Sequence, residues 1–249
     1  MLTAPFLKRV SLLPERIDRK AFPFSSIPWL DADFSLDFTQ PITILAGENG
    51  AGKSTLLEAI ARQAGFPAFG GTRDHALLDA GAADALAQSM RASWLPKVTR
   101  GFFFRAESFF HLADYVDREG SPGAWGGRAL QAQSHGESFM AAFRNRLHSR
   151  ERSFYILDEP EAALSPRRLG QFLRILAGWR NSGRVQALIA THSPIIMGLP
   201  GADLRLITPA GIAACHLQDV PHFSQLQAFF SDPESYYDDL LNGPADAFD

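Results

Sequence analysis

The stretch Gly47-Glu48-Asn49-Gly50-Ala51-Gly52-Lys53-Ser54-Thr55 decides the fold of this chain. Its spacing satisfies the pattern G-x-x-x-x-G-K-[ST], in which glycines let successive backbone N–H groups turn inward around a phosphate chain. In such a loop the lysine reaches the β and γ phosphates and the hydroxyl after it binds Mg²⁺. The pattern therefore predicts a nucleotide site formed by Asn49, Gly50, Ala51, Gly52, Lys53, Ser54 and Thr55, with Ser54 on the metal.

The flanking sequence has the order that such a loop requires. Residues 41–46 form a short β-branched apolar run, typical of a buried strand. Residues 55–64 place Leu56, Leu57 and Ile60 on one helical face, and Gly65 and Pro67 then stop the helix. A strand, a glycine loop and a helix in this order direct the positive end of the helix dipole at the phosphates.

Length and composition predict one enzyme-sized domain. The 249 residues carry a formal net charge of −3, which gives no bulk attraction to nucleic acid. A single cysteine, Cys215, excludes an internal disulfide framework and favours a reducing, cytoplasmic location. Charged residues interrupt the N-terminal segment, and no apolar run approaches the ~20 residues of a membrane span. We expect no direct insertion into a membrane.

The rest of the N-terminal half predicts a small sheet and a helical region. Residues 6–13 and 34–38 read as strands, and the second alternates polar and apolar side chains like a half-buried antiparallel strand. The Ala- and Leu-rich segment 74–95 predicts one or two helices. Residues 101–106 predict another buried strand, and 120–128 a loop rich in Gly and Ser.

Two adjacent carboxylates follow a second apolar strand. In Phe154-Tyr155-Ile156-Leu157-Asp158-Glu159-Pro160, they stand at the C-terminal end of the strand, where open α/β sheets bind ligands. Asp158 would hold Mg²⁺, directly or through water, and Glu159 would polarise the water that attacks the γ-phosphate. A solvated turn ended by Pro160 is the alternative.

The stretch Gln133-Ser134-His135-Gly136-Glu137 precedes an amphipathic helix. Ser134 and Glu137 fit a capping box, which by itself explains the local sequence. Its place between the glycine loop and the acidic strand, however, resembles the signature motif LSGGQ of ATP-binding cassette (ABC) ATPases. His135 and Glu137 depart from that motif, whereas Ser134 and Gly136 match it. The resemblance implies that Ser134, Gly136 and Glu137 contact nucleotide bound to a second subunit.

A histidine after a third buried strand supports the same resemblance. Residues 185–190 are apolar, and Thr191-His192-Ser193-Pro194 follows at once. ABC ATPases carry a switch histidine at this place, which implies a catalytic role for His192 beside Glu159 and Lys53. Ser193 and Pro194 also read as a plain helix start. Residues 161–166 occupy the place of the loop that crosses the dimer interface in that family.

The chain thus resembles soluble ABC-type ATPases of the RecF and SMC group over about residues 36–198. The resemblance implies an α/β P-loop NTPase fold with a mostly parallel central sheet flanked by helices, a small N-terminal antiparallel β subdomain and a short helical subdomain with the signature. Within one domain, 1–249, we expect the β part at about 1–40, the nucleotide-binding core at 41–70 and 150–210, the helical part at 72–148 and a C-terminal extension at 211–249.

Two positions depart from the family pattern. Transporter ATPases carry a glutamine after the strand that corresponds to 102–105, where this chain has Ala106-Glu107-Ser108. Glu107 is either a contact to Mg²⁺ or water, or an ordinary surface acid. The aromatic residue that stacks on adenine is also open between Phe22, Phe24 and Trp29, each of which would otherwise pack in the small sheet.

The resemblance implies ATP and Mg²⁺ as ligands, Mg-dependent ATP hydrolysis, and a head-to-tail homodimer that closes on ATP and opens after hydrolysis. A role in DNA maintenance or defence is the first interpretation, with nucleic acid as a partner. The alternative is the ATP-binding subunit of a membrane transporter whose spanning subunit is another chain. A non-enzymatic ATP sensor is disfavoured by Glu159 and His192.

The C-terminal segment carries less information. Residues 204–207 and 212–217 predict a hairpin, and 223–241 predict one or two helices. Their aromatic residues would anchor these helices to the core or, alternatively, contact a partner. We expect core packing for Phe229, Phe230, Tyr236 and Tyr237, and a solvated acidic end that includes Asp238, Asp239, Asp246 and Asp249.

Overall fold

The structure is a computed structural model that describes residues 2–67, 70–72, 84–118 and 122–242. It contains a three-stranded antiparallel sheet and a six-stranded, mostly parallel sheet. Helices and loops join these sheets, as the predicted fold class requires. Part of the predicted helical segment 74–95, part of the loop 120–128, and Asp246 and Asp249 lie outside the described residues.

The antiparallel sheet has the strand order β2-β1-β4. Its strands are β1 (Leu7–Leu12), β2 (Ser35–Asp37) and β4 (Met90–Trp94). The two N-terminal strands were predicted, whereas the helix predicted up to Leu95 is wrong over its last residues. In the described part of this segment, Asp84–Gln88 forms a helix, α2, before β4 begins. β4 pairs with β1 from Met90 opposite Leu12 to Trp94 opposite Leu7, so a long-range partner overrides the local Ala and Leu preference.

The central sheet has the order β5-β6-β7-β3-β8-β9. Adjacent strands are parallel except for the final hairpin, in which β9 runs antiparallel to β8. The members are β3 (Ile42–Gly47), β5 (Gly101–Arg105), β6 (Ser153–Asp158), β7 (Val185–Ala190), β8 (Asp203–Thr208) and β9 (Gly211–Ala214). Strands β6 and β7 are buried at every position, because helices or the other sheet cover both faces.

Eight α-helices occur in the described residues. Besides α2, they are α1 (Lys53–Ala64), α3 (Phe109–Arg118), α4 (His135–Asn145), α5 (Pro166–Ser182), α6 (Pro194–Met197), α7 (Pro221–Ser231) and α8 (Pro233–Asn242). Helix α1 packs in a cluster with the antiparallel sheet. Helices α3, α4 and α5 pack on the other side, around buried phenylalanines such as Phe104, Phe139 and Phe143.

The last two helices contradict the prediction of core packing. Neither α7 nor α8 contains a buried residue, and Phe230 and Tyr237 are 75% and 53% exposed. The aromatic rings contact one another instead: Phe229 packs on Phe230, Tyr236 and Tyr237. The helix pair therefore contacts the core near its start, where Val220 is buried and Phe223 packs partly buried.

Candidate functional site

The glycine loop connects β3 to α1 at the C-terminal edge of the central sheet. Lys53, the first residue of α1, is 6% exposed and its Nζ donates to the carbonyl oxygens of Gly47 and Glu48 at 2.7 and 2.9 Å. Burial lowers the pKa of Lys53, and the nearby carboxylates, Glu159 first, oppose that shift. The ammonium group of Lys53 therefore lies against the loop backbone, where its two hydrogen-bond acceptors are carbonyl oxygens.

Residues of the N-terminal segment contact the backbone of the glycine loop. Gly52 has φ +93°, and a Cβ there would meet Ile27 Cδ1 at 2.8 Å and Trp29 Cζ2 at 3.1 Å. Trp29 is buried and its Nε1 donates to the Ala51 carbonyl oxygen at 2.8 Å. Trp29 therefore fixes the loop backbone, a role that the sequence did not reveal. Of the three aromatic candidates for adenine stacking, Phe24 is also buried and Phe22 is 56% exposed.

Ser54 and Asp158 come together as the sequence predicted. Ser54 Oγ donates to Asp158 Oδ1 at 3.1 Å. Burial raises the pKa of Asp158 to about 6, because an ionised carboxylate loses water there, although the Ser54 hydrogen bond and Arg105 oppose the shift. Two hard oxygen donors at a place that disfavours an unpaired negative charge suit Mg²⁺. The described residues contain no group of three His, Cys, Asp or Glu side chains that could hold a metal without further ligands.

Arg105, at the end of β5, was missed by sequence reasoning. Its guanidinium pairs with Glu58 of α1, lies 3.7 Å from Asp158 Oδ2 and contacts Glu107 at 3.4 Å. Arg105 is opposite Asp158 in the β5–β6 register, which explains why the side chains meet. Glu107 is 87% exposed and contacts Arg105. The assignment of Glu107 to Mg²⁺ stays a prediction, and Arg105 is the residue that reaches Asp158.

Glu159 and His192 face each other at the ends of β6 and β7. His192 Nε2 lies 3.9 Å from Glu159 Oε1, and Glu159 has the backbone φ of +51°, an unusual left-handed value for a residue with a side chain. Burial and the Lys53 charge lower the pKa of His192, so the imidazole is neutral at pH 7. A half-exposed carboxylate beside a neutral imidazole is suited to orienting and polarising a water molecule.

A third carboxylate, Glu161, holds the histidine loop. Its Oε1 accepts hydrogen bonds from Thr191 Oγ1, His192 N and Ser193 N at 2.5, 2.8 and 3.1 Å. Sequence reasoning placed Glu161 in the interface loop but gave it no role. The sequence did contain a signal for this role, because an acid two residues after Glu159 can reach the end of a neighbouring strand. Which strand is the neighbour becomes clear only from the pairing of β6 with β7.

The predicted signature residues lie at the start of α4. Ser134 is exposed, and Glu137 Oε2 accepts a hydrogen bond from Ser134 N at 3.0 Å, which is one arm of the predicted capping box. Glu137 Oε1 also pairs with Arg168 at 3.2 Å. Hydrogen bonds from the backbone and side chain of Ser134, together with the Arg168 charge, lower the pKa of Glu137. The unusual His135 packs on Phe110 with ring centroids 4.2 Å apart.

A cavity of about 930 Å³ opens beside the glycine loop. Its lining includes residues 47–51, Trp29, His192, the turn after β8, and His222 and Gln225 of α7. The described residues that line it include neither the signature residues Ser134, Gly136 and Glu137 nor the site residues Lys53, Ser54, Asp158 and Glu159. The structure thus gathers Lys53, Ser54, Asp158, Glu159 and His192 at one sheet edge and leaves the signature stretch elsewhere on the surface.

The fold is that of ABC-type P-loop ATPases, and the site resembles theirs. Residues 24–63 match a family model described as an AAA domain, and residues 138–198 match one described as an AAA domain, putative AbiEii toxin, type IV TA system. The thiamine import ATP-binding protein ThiQ of Mesorhizobium japonicum is 28% identical over 201 residues, which cover 73% of this chain and 76% of that protein.

Solved structures share the fold at low identity. One is a putative metal-chelate type ABC transporter in an inward-facing conformation, with 14% identity and a TM-score of 0.52 over 92% of this chain and 90% of that chain. Another is cbiO1 from Clostridium perfringens, part of the ABC transporter complex cbiONQ, with 15% identity and a TM-score of 0.51 over 93% and 98%. Within the described part of this chain, no helix is long and apolar enough to span a bilayer.

Proposed function

We propose that this ATPase works as a nucleotide-driven dimerisation switch. The observation that carries the proposal is the position of Ser134, which is exposed at the start of α4, where the neighbouring Glu137 pairs with Arg168 of α5 and not with the phosphate loop. A second copy, placed head to tail, would bring its Ser134 and the Gly136 N–H group against the γ-phosphate held by the first. Loss of that phosphate would weaken the contact between the subunits.

Within each site we assign the chemistry to this chain's own groups. The backbone N–H groups of 49–55 and Lys53 would hold the phosphates, with Ser54 and Asp158 toward the metal. Mg²⁺, when bound, neutralises phosphate charge and orients the leaving oxygens. Glu159 would polarise the attacking water and His192 would fix its position, because these two side chains converge with a 3.9 Å separation.

The switch is tested with Glu159→Gln, which removes the base but keeps the shape of the side chain. With ATP and Mg²⁺ we expect a stable dimer by light scattering, and a monomer with ADP. Lys53→Ala serves as the control that does not hold the triphosphate. A Glu159→Gln protein that stays monomeric at saturating ATP contradicts the proposal.

A mixing experiment tests the head-to-tail arrangement directly. Lys53→Ala lacks a functional phosphate loop and Ser134→Arg lacks a functional signature, so each alone should be inactive. In an equal mixture about half of the pairs contain one intact composite site, so about a quarter of the wild-type turnover should return. No recovery on mixing would show that Ser134 and Lys53 act within one chain or not at all.

The process that the switch drives has two candidates. DNA maintenance or defence is favoured by the family model matched at 138–198, whose description includes a putative toxin of a toxin–antitoxin system. DNA-stimulated ATP turnover that falls steeply with salt would support this role. An ATP turnover rate at low salt that is equal with and without DNA would contradict this role.

The alternative is the ATP-binding subunit of a transporter, with its spanning subunit on a separate chain. It is favoured by the similarity to the thiamine import ATP-binding protein ThiQ. Arg105 and Glu107 stand where transporter ATPases carry a coupling glutamine, which argues against this role. Co-purification of a stoichiometric membrane protein with the tagged chain would favour the transporter.

A further inference from the structure

The C-terminal helix pair, α7 and α8, is largely exposed, although Phe223 near the start of α7 packs partly buried against the core. Neither helix has a buried residue, and its apolar side chains Phe230, Tyr237 and Leu241 are 75%, 53% and 75% exposed. Several exposed large apolar groups on one helix pair are typical of an interaction surface. The question is which partner fits it.

Charge restricts the partner. All 24 Lys and Arg residues of the chain lie at or before Arg205, whereas the segment after it holds seven carboxylates: Asp219, Asp232, Glu234, Asp238, Asp239, Asp246 and Asp249. In α8 the exposed apolar residues thus stand among acids with no basic side chain between them. This surface repels DNA and anionic membranes and fits a basic, partly apolar partner.

The same chain carries such a partner surface. A cleft of about 690 Å³ between α4 and α5 is lined by the arginines Arg128, Arg144, Arg167 and Arg168, and Glu137 is the single carboxylate among the described residues that line it. Trp125 and Met140 add apolar surface to the same cleft. We name it the arginine cleft. Its lining also includes Ser165, so it adjoins both the signature stretch and the loop after Glu159.

The two surfaces lie beside the two halves of the proposed composite site. His222 and Gln225 of helix α7 line the phosphate-loop cavity together with residues 47–51. Gln133 and Glu137, the two ends of the signature stretch, line the arginine cleft. A head-to-tail dimer sets the glycine loop of one copy opposite the signature of the other. The α7–α8 pair beside the glycine loop of one copy then faces the arginine cleft beside the signature stretch of the other.

We propose that the acidic α7–α8 pair of one copy docks at the arginine cleft of a second copy when ATP closes the dimer. The contact rests on the proposed dimerisation switch and deepens it, because it adds a second, charge-based contact to the one made through the nucleotide. Its complementary charges select the head-to-tail pairing, since two acidic helix pairs repel each other and so do two arginine clefts.

The test is a charge swap in the Glu159→Gln parent with ATP and Mg²⁺. One variant carries Glu234→Lys and Asp238→Lys on one face of α8, and the other carries Arg144→Glu and Arg167→Glu, all at exposed positions. Each should raise the dimer dissociation constant at least about tenfold at low salt. In a mixed dimer of the two variants both contacts are again complementary, one with native and one with exchanged charges. Combining all four changes in one chain also restores both contacts. In each case the constant should return to within about threefold of the parent.

Controls separate the possible failures. Arg91→Glu with Lys97→Glu reverses two exposed charges on the antiparallel-sheet side and should leave dimerisation within about twofold, as a net-charge control. Circular dichroism of each nucleotide-free variant checks folding. A parent that never dimerises contradicts the switch and, with it, this contact. A parent that dimerises while the charge variants match the control, or fail to rescue one another, overturns the contact alone.

The same variants expose the competing use of the arginine cleft. If Arg144→Glu with Arg167→Glu abolishes salt-dependent DNA binding but leaves the ATP dimer unchanged, the cleft is a nucleic-acid surface and the proposed docking is wrong. If dimerisation falls and is rescued by the charge swap, the cleft is occupied by the acidic helices.

Discussion

At the scale of single residues, Glu161 ties the two loops on which catalysis depends. One oxygen of its carboxylate accepts three hydrogen bonds from 191–193, and two of the donors are backbone N–H groups of the histidine loop. Glu161 follows Glu159 by two residues, so the same short segment carries the proposed base and holds His192 in place. Glu161 is therefore a positioning residue in our interpretation.

Glu161→Ala should lower kcat for ATP by on the order of 10- to 100-fold, because the histidine loop loses the acceptor that orients it. KM should change by less than about threefold, since the phosphate loop is untouched. Glu161→Gln keeps an oxygen acceptor at the same place and should stay within about fivefold of wild type. Steady-state turnover of the three proteins decides this. Equal kcat in the alanine variant and wild type would show that the loop orients itself.

Asp158 makes the stability of the nucleotide-free protein depend on pH. Its folded pKa of about 6 exceeds the ordinary value of 3.8, so the folded state binds this proton more tightly than the unfolded state. The free energy of unfolding therefore falls as pH rises from about 4 to about 6, by on the order of 3 kcal/mol from this group, and is flat above. Asp158→Asn removes this loss and should be more stable than wild type at pH 7.5.

Urea denaturation at pH 4.5, 6 and 7.5 measures the effect. The stability difference between Asp158→Asn and wild type should widen up to about pH 6 and then stay constant. Asp37→Asn is a control of opposite sign, because the Arg9 hydrogen bond lowers the pKa of Asp37. That variant should lose stability at neutral pH, and its deficit should shrink as pH falls through the acid range. A pH-independent difference for Asp158→Asn would contradict the raised pKa.

At the scale of elements, the strand, glycine loop and α1 were readable from sequence because each depends on local residues: β-branched side chains in 42–45, glycines in the loop and a stop at Gly65. β4 was not readable, since Met90–Trp94 becomes a strand only by pairing with β1, some 80 residues earlier. The aromatic residues of α7 and α8 were wrongly predicted to pack in the core. Their apolar pattern predicts burial but does not say whether the covering surface lies in the same chain.

Gly136 shows how closely α4 approaches the loop after β6. A Cβ at this position would lie 2.6 Å from the Ala163 carbonyl oxygen and 2.7 Å from Arg168 Nη1. Gly136→Ala should therefore shift the start of α4, cost about 1–3 kcal/mol of stability and reduce ATP turnover. Thermal denaturation and an ATPase assay measure both effects.

Gly178 supplies the matched control for this substitution. It lies within α5, and a Cβ there meets nothing within 4 Å. Gly178→Ala should stabilise the protein by up to about 1 kcal/mol, because alanine favours the helix. If Gly136→Ala behaves like Gly178→Ala, the close approach of α4 to the loop is not a constraint.

At the scale of the whole molecule, one side chain joins the two sheets. Gln186 is the second residue of β7 and is 1% exposed. Its Oε1 accepts hydrogen bonds from Phe6 N and Leu7 N, both at 2.7 Å. Its Nε2 donates to the Leu7 carbonyl oxygen at 2.9 Å. The sequence predicted a buried strand at 185–190, and a buried glutamine there requires hydrogen-bond partners. That β1 supplies them could not be predicted, because Leu7 is 179 residues away.

Gln186→Leu should cost on the order of 3–5 kcal/mol, because it leaves two backbone N–H groups and one carbonyl of the antiparallel sheet buried without partners. Amide hydrogen exchange should then rise first in β1 and its neighbours β2 and β4, before the central sheet. Gln131→Leu removes an exposed amide that donates to Asp114 at 3.0 Å and should change stability by less than about 0.5 kcal/mol. If the two variants unfold at the same denaturant concentration, the sheets are joined by apolar packing rather than by Gln186. In that case the contact between Trp29 and the phosphate loop would not depend on the hydrogen bonds of Gln186.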